Sequence, residues 1–128
     1  MMNQQELYKP LVLCVDDDVM ILDLTRMALE REGFRVLTAA CGLAALKAFA
    51  SNPVDAVILD YEMPGMNGAQ VALEMKRINP NIPKMLFSSS STISPEDKKA
   101  FQVYCTKPTN LRTLTAHVRE LTTFSKSA

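Results

Sequence analysis

The chain has no net charge to spend on a polyelectrolyte partner. Fourteen Lys and Arg offset fourteen Asp and Glu over 128 residues, and this balance gives no reason to expect nucleic acid or an anionic membrane as a direct partner. Cysteine is scarce and odd in number, with three residues at 14, 41 and 105, which excludes a fully paired disulfide set. Their spacing is not that of a zinc site. They read as reduced core thiols of a cytoplasmic protein. No apolar run approaches the roughly 20 residues of a membrane span. The opening Met1-Met2-Asn3-Gln4-Gln5-Glu6 is polar and has no signal-peptide core. Internal repeats and low-complexity tracts are absent. What remains is a chain with 48% hydrophobic residues, too apolar for disorder and long enough for one domain with a core of its own.

The most informative stretch is Ala56-Val57-Ile58-Leu59-Asp60, followed by Tyr61-Glu62-Met63-Pro64-Gly65-Met66-Asn67-Gly68. Four apolar residues in a row predict a strand buried on both faces. It ends in a carboxylate, and Pro and Gly then open a loop. Leu11-Val12-Leu13-Cys14-Val15 is a second such run and ends in Asp16-Asp17-Asp18. Phe34–Thr38 is less apolar and predicts a strand nearer the sheet edge. Lys84-Met85-Leu86-Phe87 runs into a serine tract, and Phe101–Cys105 predicts the fifth strand, closed by Lys107-Pro108.

Helical periodicity fills the gaps. Met20, Ile21, Leu24, Met27 and Ala28 fall on one face, opposite Asp23, Arg26 and Glu30, with Gly33 placed to end that helix in a left-handed cap. Leu43, Leu46, Phe49 and Ala50 mark a second helix, and Val71, Ala72, Met75 and Ile78 a third. Ser94, Pro95 and Asp97 carry helix-start chemistry, but the fifth strand follows so soon that the fourth helix is held to about two turns. Leu111, Leu114, Val118 and Leu121 stripe a fifth helix, started by Asn110 or Thr109. Met20, Met27, Met75 and Met85 read as core filler. Five βα units require parallel strands with right-handed crossovers. The expected fold is a doubly wound α/β domain over residues 10–123, with a lead-in at 1–9 and a tail at 124–128.

In such a sheet, every strand's carboxyl end lies on one edge, where ligands bind. That edge collects Asp16, Asp17, Asp60, Ser88 and Lys107. Two like charges 4 Å apart cost roughly 4 kcal/mol at an effective dielectric of about 20, so gathered carboxylates need an offset. Lys107 supplies part, and a hard divalent cation such as Mg²⁺ suits the remaining oxygen donors. A carboxylate beside an ammonium, a hydroxyl and a cation is equipment for phosphoryl transfer, with Asp60 as nucleophile. Asp18 reads as a helix cap, and His117 as a residue with no role.

Val15-Asp16-Asp17-Asp18, the run Leu59–Gly68, Phe87-Ser88-Ser89 and Thr106-Lys107-Pro108 together resemble the receiver domain of bacterial two-component response regulators, a CheY-like, flavodoxin-like fold. The resemblance implies that Asp60 accepts phosphate from a sensor histidine kinase or phosphotransfer protein. It implies that Asp16, Asp17, Asp60 and the backbone carbonyl of Glu62 hold Mg²⁺, and that Lys107 binds the phosphoryl group. Ser88 and Tyr104 would be the switch pair, and the Lys107-Pro108 peptide would be cis.

Such a domain assists only its own phosphorylation and dephosphorylation and is not a turnover enzyme. It would act as a monomer or weak dimer on a downstream protein target, as a stand-alone receiver or the N-terminal part of a longer regulator. One departure stands out: between Ser88 and Lys107 the chain is shorter than the usual receiver, and Lys98-Lys99-Ala100-Phe101 replaces the small-residue turn before the fifth strand. The fourth helix is therefore expected to be truncated or reoriented. The rival readings are a receiver-shaped interaction module that works without phosphorylation and a small-molecule phosphatase with Glu62 as its acid.

Overall fold

The two apolar runs that end in acid, Leu11–Val15 and Ala56–Leu59, are neighbouring strands buried along their whole length. The computed structural model describes residues 8–90 and 92–127, with side chains as far as residue 123. Residues 1–7 of the expected lead-in and the side chains of the expected tail lie outside the described residues.

The elements run β1 Leu11–Val15, α1 Val19–Arg31, β2 Arg35–Ala39, α2 Gly42–Ser51, β3 Ala56–Leu59, α3 Gly68–Ile78, β4 Lys84–Ser88, α4 Pro95–Lys98, β5 Val103–Thr106 and α5 Leu111–Ser127. The five strands form one parallel sheet in the order β2-β1-β3-β4-β5. This is the expected doubly wound fold, with the less apolar β2 at an edge. Among the described residues no helix is long and apolar enough to cross a membrane.

Alternation along the strands divides the core into two layers. Leu13, Val15, Val57, Leu59 and Leu86 pack on one side with Ala45 and Phe49 of α2 and Val71 and Met75 of α3. Val12, Cys14, Ile58, Met85 and Phe87 pack on the other with Leu22 and Leu29 of α1 and Leu114, Val118 and Leu121 of α5. Each fully buried Leu or Val contributes about 1.5–3 kcal/mol relative to exposure, so these layers fix the strand register rigidly.

Helix ends follow the sequence signals. The Asp18 carboxylate accepts from the Met20 and Ile21 N–H groups at 3.0 and 3.3 Å. Gly33 takes a φ of +95° past the end of α1, which lets the Phe34 N–H reach back to the Leu29 carbonyl at 3.1 Å. Asn110 rather than Thr109 starts α5, its side chain accepting from the Thr113 N–H at 2.8 Å.

Some expectations fail. The buried stripe of α1 is Leu22, Thr25, Ala28 and Leu29, while Met20, Leu24 and Met27 are 74%, 55% and 59% exposed. This helix has apolar residues on two faces, and periodicity alone could not say which one meets α5. Met20 and Met27 are thus not core filler, whereas Met75 and Met85 are fully buried. Leu43, Ala50, Ile78 and Leu111 are likewise exposed, at the rims of their stripes. Cys41 is exposed, because it is the first residue outside α2 rather than part of a strand.

The fourth helix is shorter than two turns. Only Pro95–Lys98 is helical, capped by the Ser94 hydroxyl, and none of its residues is buried. Ile93 and Phe101 flank it and anchor it in the core. Phe101 thereby falls outside β5, which begins at Val103. Two tyrosine hydroxyls complete the attachment: Tyr61 donates to the Asp97 carboxylate at 2.6 Å and Tyr104 to the Lys98 carbonyl at 2.8 Å.

Candidate functional site

Strand register brings the acids together. Val15 pairs with Leu59, so Asp16 and Asp60 are the next residues on adjacent strands. The Asp60 N–H donates to the Val15 carbonyl at 2.9 Å and carries the ladder one step past β3. Asp16 and Asp60 are buried and Asp17 is exposed, yet one carboxylate oxygen from each lies within 4.8 Å of the others. The Asp16 side chain is oriented by accepting from the Asp18 N–H at 2.9 Å.

Lys107 arrives from the far side of β4. Ser88 pairs with Thr106, and the Lys107 N–H donates to the Ser88 carbonyl at 3.0 Å. Its ammonium lies 2.5 Å from Asp16 Oδ2 and 3.4 Å from Asp60 Oδ1. It also sits over the Phe87 ring, 5.2 Å from the centroid, a cation–π contact that sequence reading missed. The Lys107-Pro108 peptide is cis.

Ser88 is buried at the end of β4, where its hydroxyl accepts from the Ser90 N–H at 3.2 Å. Glu62 is exposed in the loop after Asp60. Tyr104 is 51% exposed on β5 and engages α4 rather than the acid cluster. His117 is half-buried on α5, 3.9 Å from Glu120 and on a different element from every group of the cluster.

Another residue that sequence reading passed over is Gly68. Its N–H donates to the Tyr61 carbonyl at 2.8 Å and closes the loop that follows Asp60. The loop is pinned at that end by a reciprocal capping box between Asn67 and Gln70.

The acids crowd one another. Burial, then the charge of Asp16, pushes the Asp60 carboxyl up from 3.8 to about 6, with Lys107 pulling the other way. All the donors are hard oxygens and their charge exceeds what one lysine neutralises, which fits a hard divalent cation.

The same strain has a pH signature in the cation-free protein. A folded pKa above the unfolded one means that folding favours the protonated acid. Stability from this group is therefore full below about 4 and declines as pH rises to about 6, by something on the order of 3 kcal/mol. Urea unfolding in a chelator should show that decline in the wild type, and Asp60→Asn should remove it. A wild-type curve parallel to that of the variant would show that Asp60 is not strained.

Comparison with known proteins gives a consistent result. A sequence profile of the response regulator receiver domain matches residues 12–119. The transcriptional regulatory protein PrrA of Mycobacterium bovis is 33% identical over 117 residues, covering 88% of this chain and 49% of that protein. The probable transcriptional regulatory protein TcrX of Mycobacterium tuberculosis is 31% identical over 115 residues, covering 86% of this chain and 48% of the relative. The chain thus spans about half the length of the curated relatives it matches. Among solved structures, a CheY-like receiver domain protein from Methanospirillum hungatei superposes with a TM-score of 0.86 at 26% identity, covering 94% of this chain and 98% of that one. The response regulator TrrA of Thermotoga maritima, solved in complex with Mg(2+)-BeF, superposes with a TM-score of 0.82 at 35% identity, covering 88% and 98%.

Proposed function

The chain belongs to the response regulator receiver domain family, and from that premise we propose that it is a phosphoacceptor switch, phosphorylated on Asp60 by a sensor histidine kinase or phosphotransfer protein. The single observation that carries this reading is the convergence of Asp16, Asp17, Asp60 and Lys107 at the carboxyl edge of the sheet. A carboxylate oxygen of Asp60 attacks phosphorus, the P–N bond of the phosphohistidine breaks, and the departing imidazole takes up a proton. Asp16, Asp17, Asp60 and the Glu62 carbonyl would hold Mg²⁺, which when bound neutralises phosphoryl oxygens. Lys107 neutralises another and holds it in place, with its ammonium aimed by Asp16 and Phe87. The Ser88 hydroxyl gives up the Ser90 N–H and turns to donate to the phosphoryl group.

The reading extends to partners. Met20, Leu24 and Met27 leave an apolar surface on α1, and Ile21, Leu24 and Leu111 line one cavity with Lys107 and Pro108. A phosphodonor helix that covered these residues would bring its histidine to Asp60. Release of the Ser88 hydroxyl would be read out through Tyr104 and the short α4, altering the face offered to a downstream protein. The domain would be a cytoplasmic monomer or weak dimer with no sustained turnover and no direct contact with nucleic acid.

Incubation with Mg²⁺ and acetyl phosphate, followed by intact-mass measurement, tests the central claim. The wild type should gain one phosphoryl group, and Asp60→Asn should gain none. No gain by the wild type would leave an interaction module that works without phosphorylation.

A further inference from the structure

Lys84 takes no part in the site above. It opens β4 at the amino edge of the sheet, opposite the edge that carries Asp60, and is only 4% exposed. Alternation places it on the same face as Leu86, in the core layer shared with α2 and α3. An apolar side chain is what that position calls for. The Lys84 ammonium donates to the Ile82 carbonyl at 2.9 Å. Among the described residues no carboxylate lies within ion-pair distance of it; Glu96 pairs instead with Lys99 at 3.2 Å.

Burial, reinforced by the like charge of Lys76, lowers the Lys84 pKa to about 8, which leaves the amine mostly charged at neutral pH. A buried charge is ordinarily paired. This one has one acceptor and two N–H donors to spare.

A cavity lies beside it. It has a volume of about 440 Å³ and sits between α3, the start of β4, the single turn of α4 and the turn into β5. Leu73, Ile82 and Ala100 give it apolar walls, and Lys76, Lys84 and Lys99 give it positive charge against the single carboxylate of Glu96. Its volume falls within the few-hundred-Å³ range of small-molecule sites.

We propose that this cavity binds a small organic anion, with its carboxylate or phosphate on Lys84 and its apolar body against Leu73, Ile82 and Ala100. An anion there supplies the missing partner of a buried ammonium. The apolar walls distinguish such a ligand from an inorganic ion. The cavity adjoins α4, so an occupied site would also bear on the face that the switch presents.

The test is an amide-resolved NMR titration of the whole chain at constant ionic strength, without divalent cations. The probes are benzoate, benzyl alcohol as a neutral body of similar shape, and inorganic phosphate as charge without a body. Benzoate should give saturable shifts confined to the amino edge, at Lys84, Ala100 and Gln102, with roughly tenfold tighter binding than either control. In Lys84→Met, whose unbranched apolar side chain suits the buried position, benzoate should bind no better than benzyl alcohol. The assignment is overturned by no saturable shift with benzoate, by equal benzoate binding by Lys84→Met, or by phosphate binding as tightly as benzoate. Shifts centred on Lys107 instead would report the phosphoryl site and equally refute it.

Discussion

Lys107→Met should slow phosphoryl gain from acetyl phosphate by about a hundredfold or more, the usual effect of removing one preorganised charge donor from a transfer site. The side chain it replaces is held from three directions: Asp16 at 2.5 Å, Asp60 at 3.4 Å and the Phe87 ring beneath. Methionine keeps most of the length and the apolar contact with Phe87 but offers no proton and no charge. Positioning by the remaining acids survives, so some reaction should persist, unlike the complete loss expected of Asp60→Asn.

The variant has a second effect that separates electrostatics from misfolding. Two buried carboxylates lose their shared cation, and breaking such a pair costs about 3–5 kcal/mol. Lys107 is the main opponent of the upward pull on Asp60, ahead of the Tyr61 backbone N–H, so without it the acid titrates higher still. The loss of stability should therefore be large at neutral pH, smaller under acid conditions, and partly restored by Mg²⁺. Urea unfolding across pH, with and without Mg²⁺, measures this directly. Equal loss at all pH values would mean that Lys107 acts by packing and not by charge.

Much of this site was legible because strands in a parallel sheet register by residue, not by distance along the chain. An apolar run that stops at Asp16, another that stops at Asp60 and a third that stops before Lys107 are enough to place three groups on one edge. The helices were less transparent. In α1 the sequence offers two apolar stripes, and only packing against β1, β2 and α5 selects Leu22, Ala28 and Leu29 over Met20, Leu24 and Met27. The stripe left over is exposed beside the site. The start of α4 was readable from Ser94, Pro95 and Asp97, whereas its end depends on how Phe101 and Tyr104 sit in the core and on β5.

Contacts between distant residues left no local trace. The Tyr61 hydroxyl and the Asp97 carboxylate lie 36 residues apart, and neither has a periodic or capping reason to seek the other. Lys84 was visible as a charged residue opening an apolar strand, but its burial follows from the neighbours of β4. Gly68 looked like an ordinary loop glycine. What singles it out is the backbone beside it.

Gly68→Ala should disrupt the site as severely as the loss of a charged residue, though it adds only a methyl group. A Cβ at position 68 would stand 2.3 Å from the carbonyl oxygen of Asp60 and 3.1 Å from the Tyr61 Cα. Both are backbone atoms, so no side-chain rotation relieves the clash. Either α3 withdraws from the strand end or the loop from Asp60 to Asn67 moves aside. The first loosens the contacts of Val71 and Met75, which are fully buried. The second lengthens the Gly68–Tyr61 hydrogen bond of 2.8 Å that closes the loop. Overpacking of this kind costs about 1–3 kcal/mol or somewhat more. The kinetic effect should also be large, because a shift of about 1 Å in a positioned group can cost about a hundredfold in rate. Under conditions where the variant is still folded, phosphoryl gain should fall by about that factor. Asn67→Ala, which removes the adjacent cap without touching the Asp60 carbonyl, should do the opposite: a loss of about 1 kcal/mol with phosphorylation nearly intact. A Gly68→Ala protein that phosphorylates at the wild-type rate would show that the loop has slack, and that Asp60 is placed by β3 alone.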